Sequence, residues 1–172
     1  AKFTLLGDLN QAIFTHENSR SLLSQMSKMF DPEKTKVVQL TKSYRSTKQI
    51  TNFTRHLLIR GEQIEPFDRD GQKPLIISTK GESKRVEAIA QAIQTAKKDN
   101  DAVAVIAKNL DECETLHKAL EQRGESNTII RTENQRLVKG TLIIPSYLAK
   151  GLEFDAVIVA DPGVFRLVRK QA

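Results

Sequence analysis

A single cysteine, Cys113, occurs among the 172 residues. It cannot close an internal disulfide, which excludes the disulfide-stapled secreted scaffolds. No apolar run approaches the ~20 residues that span a bilayer. The opening Ala1-Lys2-Phe3-Thr4-Leu5-Leu6-Gly7-Asp8 is too short and too quickly acidic for a secretory signal. A cytoplasmic chain with no membrane partner is the expectation. Metal-ligand spacing is missing as well, since His16, His56 and His117 stand far apart in the sequence. There is no Gly-x4-Gly-Lys-Ser/Thr loop to cradle β/γ-phosphates, and no adjacent acid pair directly after an apolar strand to hold Mg²⁺. By itself the chain is expected not to hydrolyse a nucleotide. It also lacks an initiator Met and begins inside a strand-like run, so the expectation is a piece of a longer protein.

What is present describes an ordinary globule. Residues are 39% hydrophobic and 28% charged, and 27 Lys+Arg against 21 Asp+Glu leave a formal charge of +6. That charge permits a polyanionic partner without demanding one. The length suits one domain of the usual ~100–200 residues.

Strand-like and helix-like runs alternate. Short apolar runs at Phe3–Leu6, Val37–Leu40, Leu75–Ile77, Ala102–Ile106, Thr128–Ile130, Thr141–Ile144 and Ala156–Ala160 read as strands. Helical spacing of apolar residues predicts helices over Ser21–Phe30, from Ser46 or Thr47 to near Gly61, over about 82–98, and from Leu110 to Gly124. Residues 61–73, with two Gly, one Pro and mixed charge, form the most loop-like stretch, a connection or the scar of an inserted subdomain. Repeated β-then-α with continuously apolar strands implies an α/β fold with a mainly parallel sheet and helices on both faces.

Ligands of such sheets sit at the carboxyl ends of strands, which singles out three loops. In Gly7-Asp8-Leu9-Asn10-Gln11-Ala12-Ile13-Phe14, a carboxylate and an amide three residues apart can hold a metal-bound water or read a phosphate oxygen. The same Gly-Asp can equally just turn the chain. In Ser43-Tyr44-Arg45-Ser46-Thr47, a ring can stack on a base while a guanidinium forks to a phosphate at a helix entrance. The plain alternative is a Tyr covering the core edge beside a solvated Arg. In Leu148-Ala149-Lys150-Gly151-Leu152-Glu153-Phe154-Asp155, Gly151 allows close backbone approach, Lys150 brings positive charge and Glu153 can accept from a ribose hydroxyl. A surface turn would use similar residues. Cys113 falls on the apolar face of its helix, where packing is its role.

In this order and spacing the three loops resemble motifs III, IV and V of the UvrD/Rep-type superfamily 1 helicases. The first looks like GDxxQxIY, Leu40-Thr41-Lys42-Ser43-Tyr44-Arg45-Ser46 looks like LxxNYRS, and Lys150-Gly151-Leu152-Glu153-Phe154-Asp155 is the KGLEFD ending of motif V. The surrounding IPSYLAKGLEFDAVIV is most similar to the helicase IV-like branch, some of whose bacterial members act on RNA polymerase. Departures from the pattern are Ser43 for Asn, Phe14 for Tyr, Tyr147 where many members have His and Pro145 where many have Thr.

The resemblance implies a three-layer RecA-like domain and a role for each motif residue. Gln11 would sense the γ-phosphate or its attacking water, and Tyr44 would stack on adenine. Arg45 would reach the γ-phosphate across a cleft like an arginine finger. Glu153 would bind the ribose, with Gly151 making room, while Lys150, Tyr147 and Ser146 would lie near the nucleic-acid backbone. Residues 1–16 would be the tail of a first motor domain and 17–172 a second RecA-like domain lacking its final motif. Walker A, Walker B and motif VI are absent. The partners implied are ATP with Mg²⁺, single-stranded or tailed DNA and the first motor domain of the same chain. The parent would be an ATP-dependent DNA helicase or translocase, or alternatively an ATPase that remodels RNA polymerase complexes without processive unwinding.

Overall fold

The computed structural model describes residues 3–7, 25, 28–58, 61–136 and 138–160. Contacts divide the chain into two units that meet between Ile76 and Ile77.

In the second unit, the most apolar segments build the sheet. Strands β3 (Ala102–Ala107), β4 (Asn127–Ile129), β5 (Gly140–Pro145) and β6 (Ala156–Val159) pair in the order β4-β5-β3-β6. Every ladder is parallel, with Val105 opposite both Ile143 and Ile158. A strand flanked on both sides and covered on both faces has no position for a polar residue, which is why β3 reads Ala-Val-Ala-Val-Ile-Ala.

Alternation along the strands splits the core in two. On one face Val105, Ala107, Ile129 and Ile143 meet α2 (Glu82–Ala96) through Val86, Ile89 and Ile93, and α3 (Leu110–Glu121) through Cys113, Leu116 and Leu120. Ala104, Ile130, Leu142 and Ile144 form the other cluster, covered by Leu148, Ala149 and Phe154 of the β5–β6 connection. Each fully buried large side chain here contributes about 1.5–3 kcal/mol. The start of α3 is fixed by Asn109, whose Oδ1 accepts from the Glu112 amide at 2.9 Å. Its end is fixed by Gly124 at φ 76°, where the Glu125 amide donates back to the Leu120 carbonyl at 3.0 Å. The expected strands and helices of this unit are all present, within one to three residues at each end.

The first unit differs more from expectation. Its regular elements are β1 (Lys42–Ser43), α1 (Lys48–Thr54) and β2 (Glu65–Pro66), with 3-10 turns at Pro32–Lys34, Arg55–Leu57 and Gly61–Gln63. The expected strands at Phe3–Leu6 and Val37–Leu40 carry no ladder among the described residues. Leu75–Ile77, expected as a buried strand, is 81%, 73% and 53% exposed and unpaired among the described residues. An apolar run becomes a strand only where another strand meets its backbone, and these runs meet none there. The expected helix at Ser21–Phe30 falls mostly outside the described residues, with Gln25 and Lys28 helical. The helix expected to reach Gly61 stops at Thr54 and tightens into the 3-10 turn. The expected domain boundary at residues 16 and 17 lies outside the described residues.

The loop-like 61–73 stretch is instead an ordered partner. β1 and β2 pair in parallel, Lys42 opposite Glu65 and Ser43 opposite Pro66. The Glu65 amide donates to the Thr41 carbonyl at 2.9 Å and the Phe67 amide to the Ser43 carbonyl at 3.0 Å. In this register the ladder takes the amides on either side of Pro66, so the missing proline N–H costs nothing.

Candidate functional site

Tyr44 and Arg45 follow β1 directly, so the strand before them is Lys42–Ser43 and not the Val37–Leu40 run expected to precede them, which is unpaired among the described residues. Tyr44 is 63% exposed, yet its ring is supported by Phe67, with centroids 5.2 Å apart and planes tilted by 41°. Lys42 Nζ lies 5.8 Å from the Tyr44 centroid and 5.7 Å from that of Phe67, within cation–π range of both rings. Arg69 donates from Nη2 to the Arg45 carbonyl. The Lys48 amide, in the first turn of α1, donates to the Arg69 carbonyl at 2.8 Å.

Farther along, Gln49 Nε2 donates to Asp70 Oδ1 at 2.9 Å, and the Gly71 amide donates to Gln49 Oε1 at 2.8 Å. A Cβ on Gly71 would come within 2.6 Å of Thr47 Cγ2, so only glycine lets the two segments lie this close. Residues 42–49 and 65–71 thus hold each other along their length.

In the second unit, three strand exits are tied side by side. The Ser146 amide donates to the Ala107 carbonyl at 2.8 Å and the Ala160 amide to the Ile106 carbonyl at 2.9 Å. Ser146 Oγ donates to the Lys108 carbonyl at 2.9 Å, so its proton is used to join the exits of β3 and β5. The β5–β6 connection then makes two turns, closed by Leu148 N to Pro145 O at 2.9 Å and Leu152 N to Ala149 O at 3.2 Å. Its apolar residues face the sheet, while Tyr147, Lys150 and Glu153 remain on the exposed side. Gly151 has φ 81° with nothing within 4 Å of a built Cβ. The turn therefore needs glycine for its left-handed backbone, and the space around it is open.

Tyr44 and Arg45 belong to the first unit, and Ser146, Tyr147, Lys150, Gly151 and Glu153 to the second; each set is brought together within its own unit. Gln11 lies outside the described residues. Lys108 was not singled out from the sequence, although it directly follows an apolar strand, the place where a search of strand exits finds it. Its amide donates to Glu112 Oε2 at 2.9 Å, and Glu112 Oε1 accepts from Arg85 Nη1 at 2.7 Å, so α2 and α3 together fix this exit. Burial pushes the Cys113 thiol up to about 11, with Glu112 adding to the shift, which leaves a packed thiol and no nucleophile. Among the described residues no group of three or more His, Cys, Asp or Glu can hold a metal, and no helix is long and apolar enough to cross a membrane.

The model of the UvrD-like helicase C-terminal domain matches residues 38–139. The chain belongs to that family. Among solved structures, the C-terminal domain of a possible DNA helicase from Lactobacillus plantarum WCFS1 is 44% identical, with a TM-score of 0.57; the match covers 68% of this chain and 67% of that one. No curated protein sequence matches the chain. Within this UvrD-like helicase C-terminal domain, the matched span takes in Tyr44, Arg45 and the 65–71 segment and ends at Lys139. Ser146 to Glu153 lie beyond it.

Proposed function

We propose that the chain is the second motor domain of an ATP-dependent DNA helicase or translocase, contributing one wall of an ATP site and part of a single-strand track. The observation that carries this reading is a family match whose span includes an exposed, backed aromatic ring and an arginine at a strand exit. Taken one by one, the side chains suit parts of a nucleotide: in the first unit Tyr44 offers a π face to a base and Arg45 a planar cation to phosphate oxygens, and in the second Glu153 offers an acceptor to a hydroxyl. Gln11 is the proposed γ-phosphate sensor. Bound there, ATP with Mg²⁺ supplies the phosphoryl group whose cleavage drives the motor.

Arg45 stabilises charge that develops on that group, the work of an arginine finger. Tyr44 orients the base, and Gly151 gives the second turn its backbone path. On the track side, Lys150, Tyr147 and Ser146 lie near the nucleic-acid backbone, with the Lys150 charge available to a phosphate. The Mg²⁺ ligands and the Walker cradle belong to the first motor domain of the parent, so the 172-residue chain alone is expected to turn over no ATP. The setting is the cytoplasm.

Arg45→Ala in the parent tests the reading. Its kcat for DNA-stimulated ATP hydrolysis is expected to fall about 10³-fold with nucleotide binding retained, the size of effect that an arginine finger supplies. Unchanged turnover would remove Arg45 from the site. Translocation without unwinding of a tailed duplex, together with co-purifying RNA polymerase, would instead place the parent among the polymerase remodellers.

A further inference from the structure

The 65–71 segment has the composition of a plain connection, yet it is bonded along residues 41–49, the turn that carries Tyr44 and Arg45 and the strand and helix on either side of it. Its β2 pairs with β1, Phe67 stands against the Tyr44 ring at 5.2 Å, and Arg69 donates to the Arg45 carbonyl. Its far end binds Gln49 and leaves room for Thr47. A loop that only connected two elements would have no reason to place a ring and a guanidinium on two successive residues of one turn. We propose that Phe67 and Arg69 are positioning residues for nucleotide: Phe67 sets the plane of the Tyr44 ring, and Arg69 fixes the backbone from which the Arg45 side chain departs. The proposal rests on the reading of Tyr44 and Arg45 as nucleotide contacts.

The two residues act on different parts of the ligand. A ring backed by a second ring at this distance and tilt has few orientations open to it, so an incoming base meets a prepared face. Removing the backing leaves Tyr44 present and unaligned, which weakens binding more than turnover. The Arg69 bond is charge-assisted and made to a main-chain carbonyl, so it restrains the peptide plane after Arg45. Losing it loosens the main chain from which the Arg45 side chain departs, and small misplacements of a group that acts on developing charge lower the rate steeply.

Steady-state ATP hydrolysis by the full-length parent tests this. Phe67→Ala is expected to raise the KM for ATP about fivefold with kcat changed less than about twofold, as loss of an aromatic pair implies. Arg69→Ala is expected to lower kcat about tenfold at nearly constant KM, and Arg69→Lys to recover most of that loss because it keeps a cationic donor. The deciding measurement is a double-mutant cycle. If Phe67 acts through Tyr44, adding Phe67→Ala to Tyr44→Ala leaves KM where Tyr44→Ala put it. Additive effects would make Phe67 a merely structural residue and overturn the proposal. Should Phe67→Ala not fold, Phe67→Leu, which keeps apolar bulk without a ring, takes its place in the cycle. If Tyr44→Ala itself leaves KM unchanged, the nucleotide reading falls and this one with it. If Tyr44→Ala raises KM while both Phe67 variants do not, the positioning role alone falls.

Discussion

The two turns that carry the site residues are held in opposite ways. The β5–β6 turn is fastened to a dry sheet: Leu148, Ala149 and Phe154 pack on Ala104, Leu142 and Ile144, and the polar residues between them are left outside. Among the described residues the Tyr44–Thr47 turn has no such floor. Its fastening is a two-residue backbone ladder, a ring pair, the Arg69 bond and the Gln49–Asp70–Gly71 contacts. Apolar packing spreads over many weak contacts and fails only when volume is removed. A polar fastening depends on a few named atoms, so single substitutions can release it while the unit stays folded.

Leu142→Ala is the largest expected effect. Leu142 is fully buried beneath the β5–β6 turn. Its truncation is expected to cost ~2–5 kcal/mol, the range for a core Leu→Ala with incomplete collapse, read as a lower midpoint in denaturant. A loss below about 1 kcal/mol would mean that the turn is not carried by the core.

Gly71→Ala comes next and probes the other fastening. The new methyl would meet a short β-branched side chain, Thr47, which has no flexible end to swing away. The expected cost is ~1–3 kcal/mol, as for overpacking elsewhere. It is confined to the first unit, so amide exchange quickens at residues 42–49 and 65–71 and stays unchanged in β3 and β5. Exchange that quickens equally in β3 would show that the two fastenings are not independent.

The contrast also separates what the sequence disclosed from what it hid. β3, β5, β6, α2 and α3 were legible because each is dictated by its own apolar pattern, Ala-Val-Ala-Val-Ile-Ala being the clearest. The β1–β2 pairing was not, because Lys-Ser against Glu-Pro carries no apolar signal and exists only through main-chain bonds. For the opposite reason Leu75-Ile76-Ile77 read as a strand: the apolar pattern is there, and a paired neighbour among the described residues is not. At the site, Tyr44, Arg45, Lys150, Gly151 and Glu153 stood out by residue type and place. Phe67 and Arg69 were hidden by the Gly, Pro and charge around them, although a lone aromatic in such a stretch was the available signal. Lys108 needed only the strand-exit rule applied to β3.

Cys113 offers a smaller, cleaner probe of the dry side. With its thiol pushed up to about 11 by burial, a thiol reagent at pH 8 finds little thiolate and no access. Labelling is expected to follow opening of the second unit, and Leu142→Ala to hasten it by its own loss of stability, about tenfold per 1.4 kcal/mol, when opening is fast relative to labelling. Prompt labelling of the unaltered protein would break the description of α3 as sealed against the sheet.

The smallest effect is expected at the Lys139–Asp101 pair, which joins the starts of β5 and β3 at 2.6 Å with both side chains exposed. The Lys139 ammonium holds the Asp101 carboxyl below its usual range, and Asp101 raises Lys139 in turn. The signs fix the window. Stability from the lowered Asp101 is present above the ordinary carboxylate pKa and lost as pH falls through the lowered value. That from the raised Lys139 is present below the ordinary lysine pKa and lost as pH rises through the raised one. The pair therefore acts across neutral pH and fades at both ends, but water and salt screen it. Asp101→Asn is expected to move the Tm barely beyond error at pH 7, with the difference gone in about 1 M salt, where the Debye length is ~3 Å. A loss comparable to that of Leu142→Ala would mean that the second unit, too, hangs on a few polar atoms, and the contrast between the two turns would dissolve.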